Sequence, residues 1–264
     1  MYHKIILHKV LDSINLIKLN PHFKNDNLLK FLLLKAAVMT SWLKKMIYNS
    51  GLLPMVNDST NGVAIESDLL FDYAKSLGVI NLETELLDSG YRKFNNYNYE
   101  ILVDIGKIGP DYQPGHAHSD TFNFELHLNK SPIIVDTGIS TYDKNKIRQN
   151  QRSTFSHNTV MIKNFEQSEV WGGFRVGRRA KVFDLKTTKN HISASHDGYK
   201  RIGIIHNRSF DFLENNLIIK DILSKSSEGN AKAMFHFHSD IHRPEIFKDR
   251  VTINDKGVVM SLQV

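Results

Sequence analysis

The spacing of apolar residues changes from a helical period to a period of two part-way along the chain, so it must divide into a helical part and a sheet part. Leu7, Val10, Leu11, Ile14 and Ile17 make one helical stripe, which stops before Asn20-Pro21. Asp26 can cap a second helix that carries Leu29, Leu32, Leu33, Ala36, Leu43 and Ile47, with Asn49-Ser50-Gly51 as its stop. A third runs from Ser67 to Gly78, and the turn-rich LPMVNDSTNG, residues 53–62, is expected to be a loop. From about residue 98 the period is two. In TFNFELHL, Phe122, Phe124, Leu126 and Leu128 share one face and Asn123, Glu125 and His127 the other, which predicts a half-buried strand. SPIIVD, NTVMIK, HISAS, RIGIIH, NLIIKDIL, AMFHFH and GVVMSLQV continue the pattern at the spacing of a sandwich or barrel, with no helical stripe among them. The boundary falls in LDSGYRKFNNYN, residues 87–98, which gives helices in 1–88 and sheets in 89–264. The three helices are apolar on more than one face, so further helices are expected upstream to cover them.

Composition narrows the chemistry. The chain has no cysteine, so a transition metal would have to be held by histidine and carboxylate. A formal charge of +6 favours an anionic partner: nucleic acid, acidic lipid or acidic polysaccharide. No basic run exceeds two residues and aromatic residues do not interleave with one, so a nucleic-acid partner is not expected. The longest apolar stretch, Phe31 to Leu43, is broken by Lys35 and predicts no membrane span. The first twenty residues lack the features of a signal peptide. No nucleophile elbow, phosphate loop or dinucleotide fingerprint is present.

The densest polar segment is IGPDYQPGHAHSD, residues 108–120, where His116 and His118 lie two apart. In extended chain that spacing turns both rings to one side, where they could address one metal or one substrate, although two exposed loop histidines would look the same. Asp136 and His157 follow at strand ends, and two histidines with a carboxylate match a zinc-like donor set. A straight hairpin turning at Asn129-Lys130 would put Asp136 opposite about residue 123, so the segment must bend for His118 to join it. Arg152, Gln167, Glu169, Arg175, Arg178 and Arg179 could line an anionic groove or simply be solvated. Tyr112, Tyr142 and Tyr199 could move a proton or simply pack. His236 and His238 are expected to face solvent.

Five blocks, GPDYQPGHAHSDTFNFEL, VDTGISTY, RSTFSHNTV, QSEVWGGFRVGRRA and HDGY, follow one another in the order found in the C-terminal domain of heparinase II/III-like proteins, which residues 100–240 resemble. The resemblance implies the terminal helices of an incomplete α/α toroid followed by an antiparallel β-sandwich, in a polysaccharide lyase that cleaves an acidic, uronate-containing glycan such as heparan sulfate or alginate by β-elimination. It implies His116 as a catalytic residue of the cleft, and His118, Asp136 and His157 as ligands of a largely structural zinc ion. Tyr112, Gln113, Arg152 and Glu169 are expected to bind substrate. A tyrosine base or acid, and an Asn or His that holds the uronate carboxylate, come from the toroid in such proteins and are expected before Met1. The loop with Asn57 and Asp58 resembles one that faces the cleft, but a capped turn is the expectation for it. The alternative is a non-catalytic glycan-binding or surface-polysaccharide assembly protein that keeps the fold and metal. Family members are usually exported, so periplasm or cell envelope is the expected location.

Overall fold

A computed structural model describes residues 1–227, 229–242, 244–248, 250–253 and 258–261. Three helices come first: α1 (Tyr2–Leu19), α2 (Asp26–Met46) and α3 (Ser67–Ser76). The α1 stripe of Leu7, Leu11 and Ile14 packs on Ala36 and Leu43 of α2 and on Leu70 and Ala74 of α3. Asn25, not Asp26, caps α2 by accepting from Leu28 N at 3.0 Å, and Asp26 opens the first turn, where the helix dipole favours an acid. Phe31, Leu34 and Val38 of α2 and Ile6 and Leu16 of α1 are exposed, so a second apolar side of the helices has no cover here. No helix among the described residues is long and apolar enough to cross a membrane.

Fifteen strands follow among the described residues. β1 (Tyr91–Asn95), β2 (Tyr99–Asp104), β3 (Phe124–Leu128) and β4 (Ser131–Ile134) form one antiparallel meander. β5 (Val160–Ile162) and a short hairpin of β6 (Val170–Trp171) and β7 (Arg175–Val176) come next. β8 (Val182–Thr187), β9 (His191–His196), β10 (His206–Phe212) and β11 (Leu217–Leu223) form a second meander. β12 (Ala231–Ala233) pairs with β5, and β13 (Glu245–Ile246), β14 (Arg250–Ile253) and β15 (Val258–Ser261) close the described chain. The two meanders share one core, in which Ile101, Val103, Phe124 and Leu126 meet Ile192, Ala194, Phe210 and Phe212.

Several sequence expectations are corrected. Pairing begins at β1, inside the segment expected to be a junction. A short helix, α4 (Lys146–Gln151), interrupts the strands, capped by Asn145, which accepts from Arg148 N at 3.0 Å. Of RIGIIH, Arg201 and Ile202 lie in a 3-10 turn (Lys200–Ile202), Gly203 follows at φ 72°, and only His206 is extended, as the first residue of β10. Of AMFHFH, only Ala233 lies in a strand and Phe237 in a lone bridge to Ile134.

The polar face of β3 is buried rather than solvated: Asn123, Glu125 and His127 are at most 2% exposed. The chain leaving α2 covers it. Tyr48 stacks on His127 with ring centroids 3.6 Å apart, and Glu125 accepts from Tyr48 Oη (2.9 Å), Met55 N (2.8 Å) and Asp136 N (3.1 Å). Burial, then the Asp136 charge, pushes the Glu125 carboxyl up from 4.5 to about 7. The folded state therefore binds this proton more tightly, and the stability it contributes is complete below the unfolded pKa and lost as pH rises through about 7. Glu125→Gln keeps the shape and removes the titration. Denaturant midpoints compared at about pH 5 and pH 8 are expected to show wild type losing on the order of 2–3 kcal/mol more than the variant. Parallel profiles would show that Glu125 is ionised throughout.

Candidate functional site

The site forms where the loop after α2 meets the segment before β3. Asn123 N donates to Asp120 O at 2.8 Å, closing a turn in which Phe122 takes φ 68°. This turn, with a register shift at Leu126/His127, supplies the bend that a straight hairpin lacks. Asn158 fixes the other side: its side chain donates to Phe124 O (2.8 Å) and Val135 O (2.9 Å), its N–H donates to Asn123 Oδ1 (2.9 Å), and Arg208 holds its carbonyl (2.7 Å).

Asp58 is the hub. It is 3% exposed and accepts from His116 Nδ1 at 2.6 Å, from His118 Nε2 at 2.9 Å, and from both terminal nitrogens of the fully buried Arg148. Burial alone would raise its carboxyl, but these donors hold it down at about 2. An ionised carboxylate only accepts, so each histidine nitrogen facing it carries the proton. In a neutral imidazole held this way, the lone pair sits on the other nitrogen, His116 Nε2 or His118 Nδ1. The capped turn expected at Asn57-Asp58 is thus a junction between the helical part and both histidines.

His118 Nδ1, Asp120 Oδ2 and His157 Nε2 are buried atoms with no hydrogen-bond partner. One ligand atom from each of these three residues lies within 4.8 Å of the others. Orphaned donors of this kind, aimed together in a buried place, fit a transition-metal ion, and two imidazoles with a carboxylate suit zinc. Asp136 stands behind His157: its Oδ2 accepts from His157 Nδ1 at 2.8 Å and from Asn123 Nδ2 at 2.6 Å, and its Oδ1 accepts from Gly138 N at 2.8 Å. Carboxylates thus hold the far nitrogens of both histidines, Asp58 on His118 and Asp136 on His157.

His116 points outward, with 43% of its side chain exposed. Tyr2, the first residue of α1, lies 4.9 Å from it between ring centroids, Phe174 5.7 Å and Tyr142 6.0 Å. The Tyr2 and Tyr142 hydroxyls are 2.7 Å apart. Burial, then the bond to Tyr2, raises the Tyr142 pKa and keeps its hydroxyl protonated. A cavity of about 180 Å³ lined by Tyr2, Trp42, Asp58 and His116 opens here. A larger cleft of about 690 Å³, where α2 meets β1, shares no lining residue with it.

The other candidates separate. Tyr112 and Gln113 are exposed on the loop before His116. Arg152 is not: it is fully buried and donates to the carbonyls of Ala117 and Gly173. Glu169 is exposed and faces Arg178 (3.9 Å) and Arg201 (3.5 Å). Gln167 and Tyr199 are buried and bonded inside the fold. His236, expected in solvent, is partly buried with Nε2 3.0 Å from Phe155 O. Sequence reasoning missed Asp120, Arg148 and Tyr2, and it placed Asp58 in a cleft-facing loop but read it only as part of a capped turn. Asp120 carried a signal as the next alternate position after His116 and His118.

The helical part thus brings a carboxylate and a tyrosine to histidines on the segments that join the antiparallel strands, in a two-part, metal-compatible cluster. The chain belongs to the heparinase II/III-like C-terminal family, whose model matches residues 82–263. Its fold is similar to that of the heparan sulfate lyase HepC from Pedobacter heparinus, at 18% identity and TM-score 0.65, over 95% of this chain and 41% of that one. A heparinase III crystal structure matches at 17% identity and TM-score 0.66, over 95% and 43%. Another heparinase III gene product matches at 19% and 0.60, over 86% and 38%. The chain therefore spans about two fifths of the length of these structures. No curated protein matches it at a significant level.

Proposed function

We propose that this chain is part of a polysaccharide lyase that cleaves an acidic, uronate-containing glycan by β-elimination. The observation that carries the reading is the Tyr2–Tyr142 hydroxyl pair beside the outward edge of His116, whose inner nitrogen is pinned on Asp58. Family membership supports it. Tyr2, the first residue of α1, would take the role of the helical part's tyrosine, which the family resemblance places before Met1.

Elimination at a uronate takes the C5 proton, forms the C4–C5 double bond and breaks the C4–oxygen bond. His116 Nε2, with Nδ1–H held by Asp58, is the proton acceptor. The Tyr2–Tyr142 pair gives the departing glycosidic oxygen its proton and recovers one from the imidazolium. Arg148 keeps Asp58 ionised, so the tautomer of His116 is set before substrate arrives. His118, Asp120 and His157 would hold a zinc ion, with Asp136 orienting His157, and the ion would supply structural support to the loop bearing His116. The helices would be the last of an α/α toroid and the two meanders a β-sandwich. Export to the periplasm or cell envelope accords with this reading.

A working lyase generates an unsaturated uronate that absorbs at about 232 nm, one chromophore per cut. Absorbance should rise on one of heparan sulfate, alginate or hyaluronan, and His116→Ala should abolish the rise while retaining the metal. Retention of polymer with no chromophore would replace the lyase with a glycan-binding protein.

A further inference from the structure

We infer that the β6–β7 hairpin is a glycan-docking strap, in which Trp171 and Arg175 bind a sugar unit of the anionic chain next to the one at His116. This rests on the reading of the substrate as an acidic glycan. Trp171 and Arg175 are cross-strand partners, and both are exposed. An indole face covers the C–H face of a pyranose, while a guanidinium forks onto a carboxylate or sulfate. One sugar unit offers both.

Trp171 is 44% exposed, yet its ring is seated. A Cβ on Gly177 would lie 2.9 Å from Trp171 Cζ3, so the indole rests on bare backbone and only glycine leaves room for it. A platform held in place before binding loses little side-chain freedom on docking. Arg178, Arg179 and Arg201 are paired with Glu169 or Asp111, whereas among the described residues Arg175 is in no ion pair. The nearby acid, Glu169, is already shared by Arg178 and Arg201.

The strap is continuous with the site. Phe174, at its tip, meets the His116 ring edge-on at 5.7 Å and the Tyr142 ring at 5.4 Å. Beneath the tip, Gly173 O accepts from Arg148 Nε (3.1 Å) and Arg152 Nη1 (2.8 Å). Arg148 also holds Asp58, and Asp58 holds His116. One guanidinium therefore sets the strap and the proton acceptor against each other.

The chain has two tryptophans, so Trp42→Phe leaves Trp171 as the sole reporter. Titration of that variant with a heparan sulfate hexasaccharide, and in parallel with an alginate oligosaccharide, should give a saturable change in emission for at least one. A neutral cello-oligosaccharide should give none. In calorimetry on the otherwise wild-type chain, Trp171→Ala and Arg175→Gln should each weaken binding about tenfold. Saturable binding that leaves Trp171 emission and both variants' affinity unchanged overturns the strap, as does absence of binding to both acidic oligosaccharides. Binding needs no turnover, so the two ideas can fail separately. Trp171-dependent binding without chromophore keeps the strap and discards the lyase. Turnover with KM unmoved in both variants does the reverse.

Discussion

His118→Ala is expected to purify without metal and to unfold roughly 10 °C below the metal-loaded wild type. A ligand that binds only the folded state at a free concentration 1,000 times its Kd contributes about 4 kcal/mol, and the variant forfeits that term. It also leaves Asp120 Oδ2 and His157 Nε2 buried with neither ion nor hydrogen bond. Elemental analysis of wild type should return about one equivalent of zinc and of the variant none. Asp120→Asn should resemble His118→Ala. Asp136→Asn should weaken the metal about 10- to 100-fold without abolishing it, because that carboxylate reaches the cluster through His157. A complete loss in Asp136→Asn would move Asp136 into the ligand set, as the family resemblance implies. A wild type that binds no metal would sink the cluster altogether.

Asp58→Ala should be the most destructive change outside the metal ligands. Arg148 is fully buried, and its only carboxylate partner among the described residues is Asp58. Removing one member of a buried pair strands the other charge and costs about 3–5 kcal/mol. The double variant Asp58→Ala/Arg148→Met removes both charges and should recover much of that loss in denaturant unfolding. Turnover should not recover with it. His116 would still lack the acceptor that fixes its tautomer, so the double variant should remain at least about 100-fold slower than wild type. Recovery of both stability and turnover would show that Asp58 is only a structural counter-ion.

Legibility in the sequence followed the range of the interactions. Alternation in residues 121–128 identified β3 and its core face, since the period of two is a property of the strand itself. It said nothing of what covers the other face, where Tyr48 and Met55 arrive from the helical part. The pair His116 and His118 was visible as a pair. Its common partner was not, because Asp58 lies about sixty positions earlier in a turn whose own residues do not say what it docks against. Arg152 looked like a groove residue because arginine is usually exposed, and it is buried because three of its nitrogens find carbonyls. RIGIIH has strand composition, but its first residues close a 3-10 turn at the left-handed Gly203 and pairing starts only at its last residue, His206.

The sequence by itself determined the division into helices and antiparallel strands, the restriction of any metal to nitrogen and oxygen ligands, and the pairing of His116 with His118 in one polar segment. Each is local: a periodicity, an absent residue type, or a spacing of two. Tertiary structure alone decided that Tyr2 meets Tyr142, that Arg148 reaches back ninety positions to Asp58, and that Asp120 rather than Asp136 shares a cluster with His118 and His157. Those pairings depend on how the loop after α2 docks against the turn before β3. That docking is set by burial of Tyr48, Glu125 and Leu102 between the two parts, a sum over distant residues that no local pattern encodes.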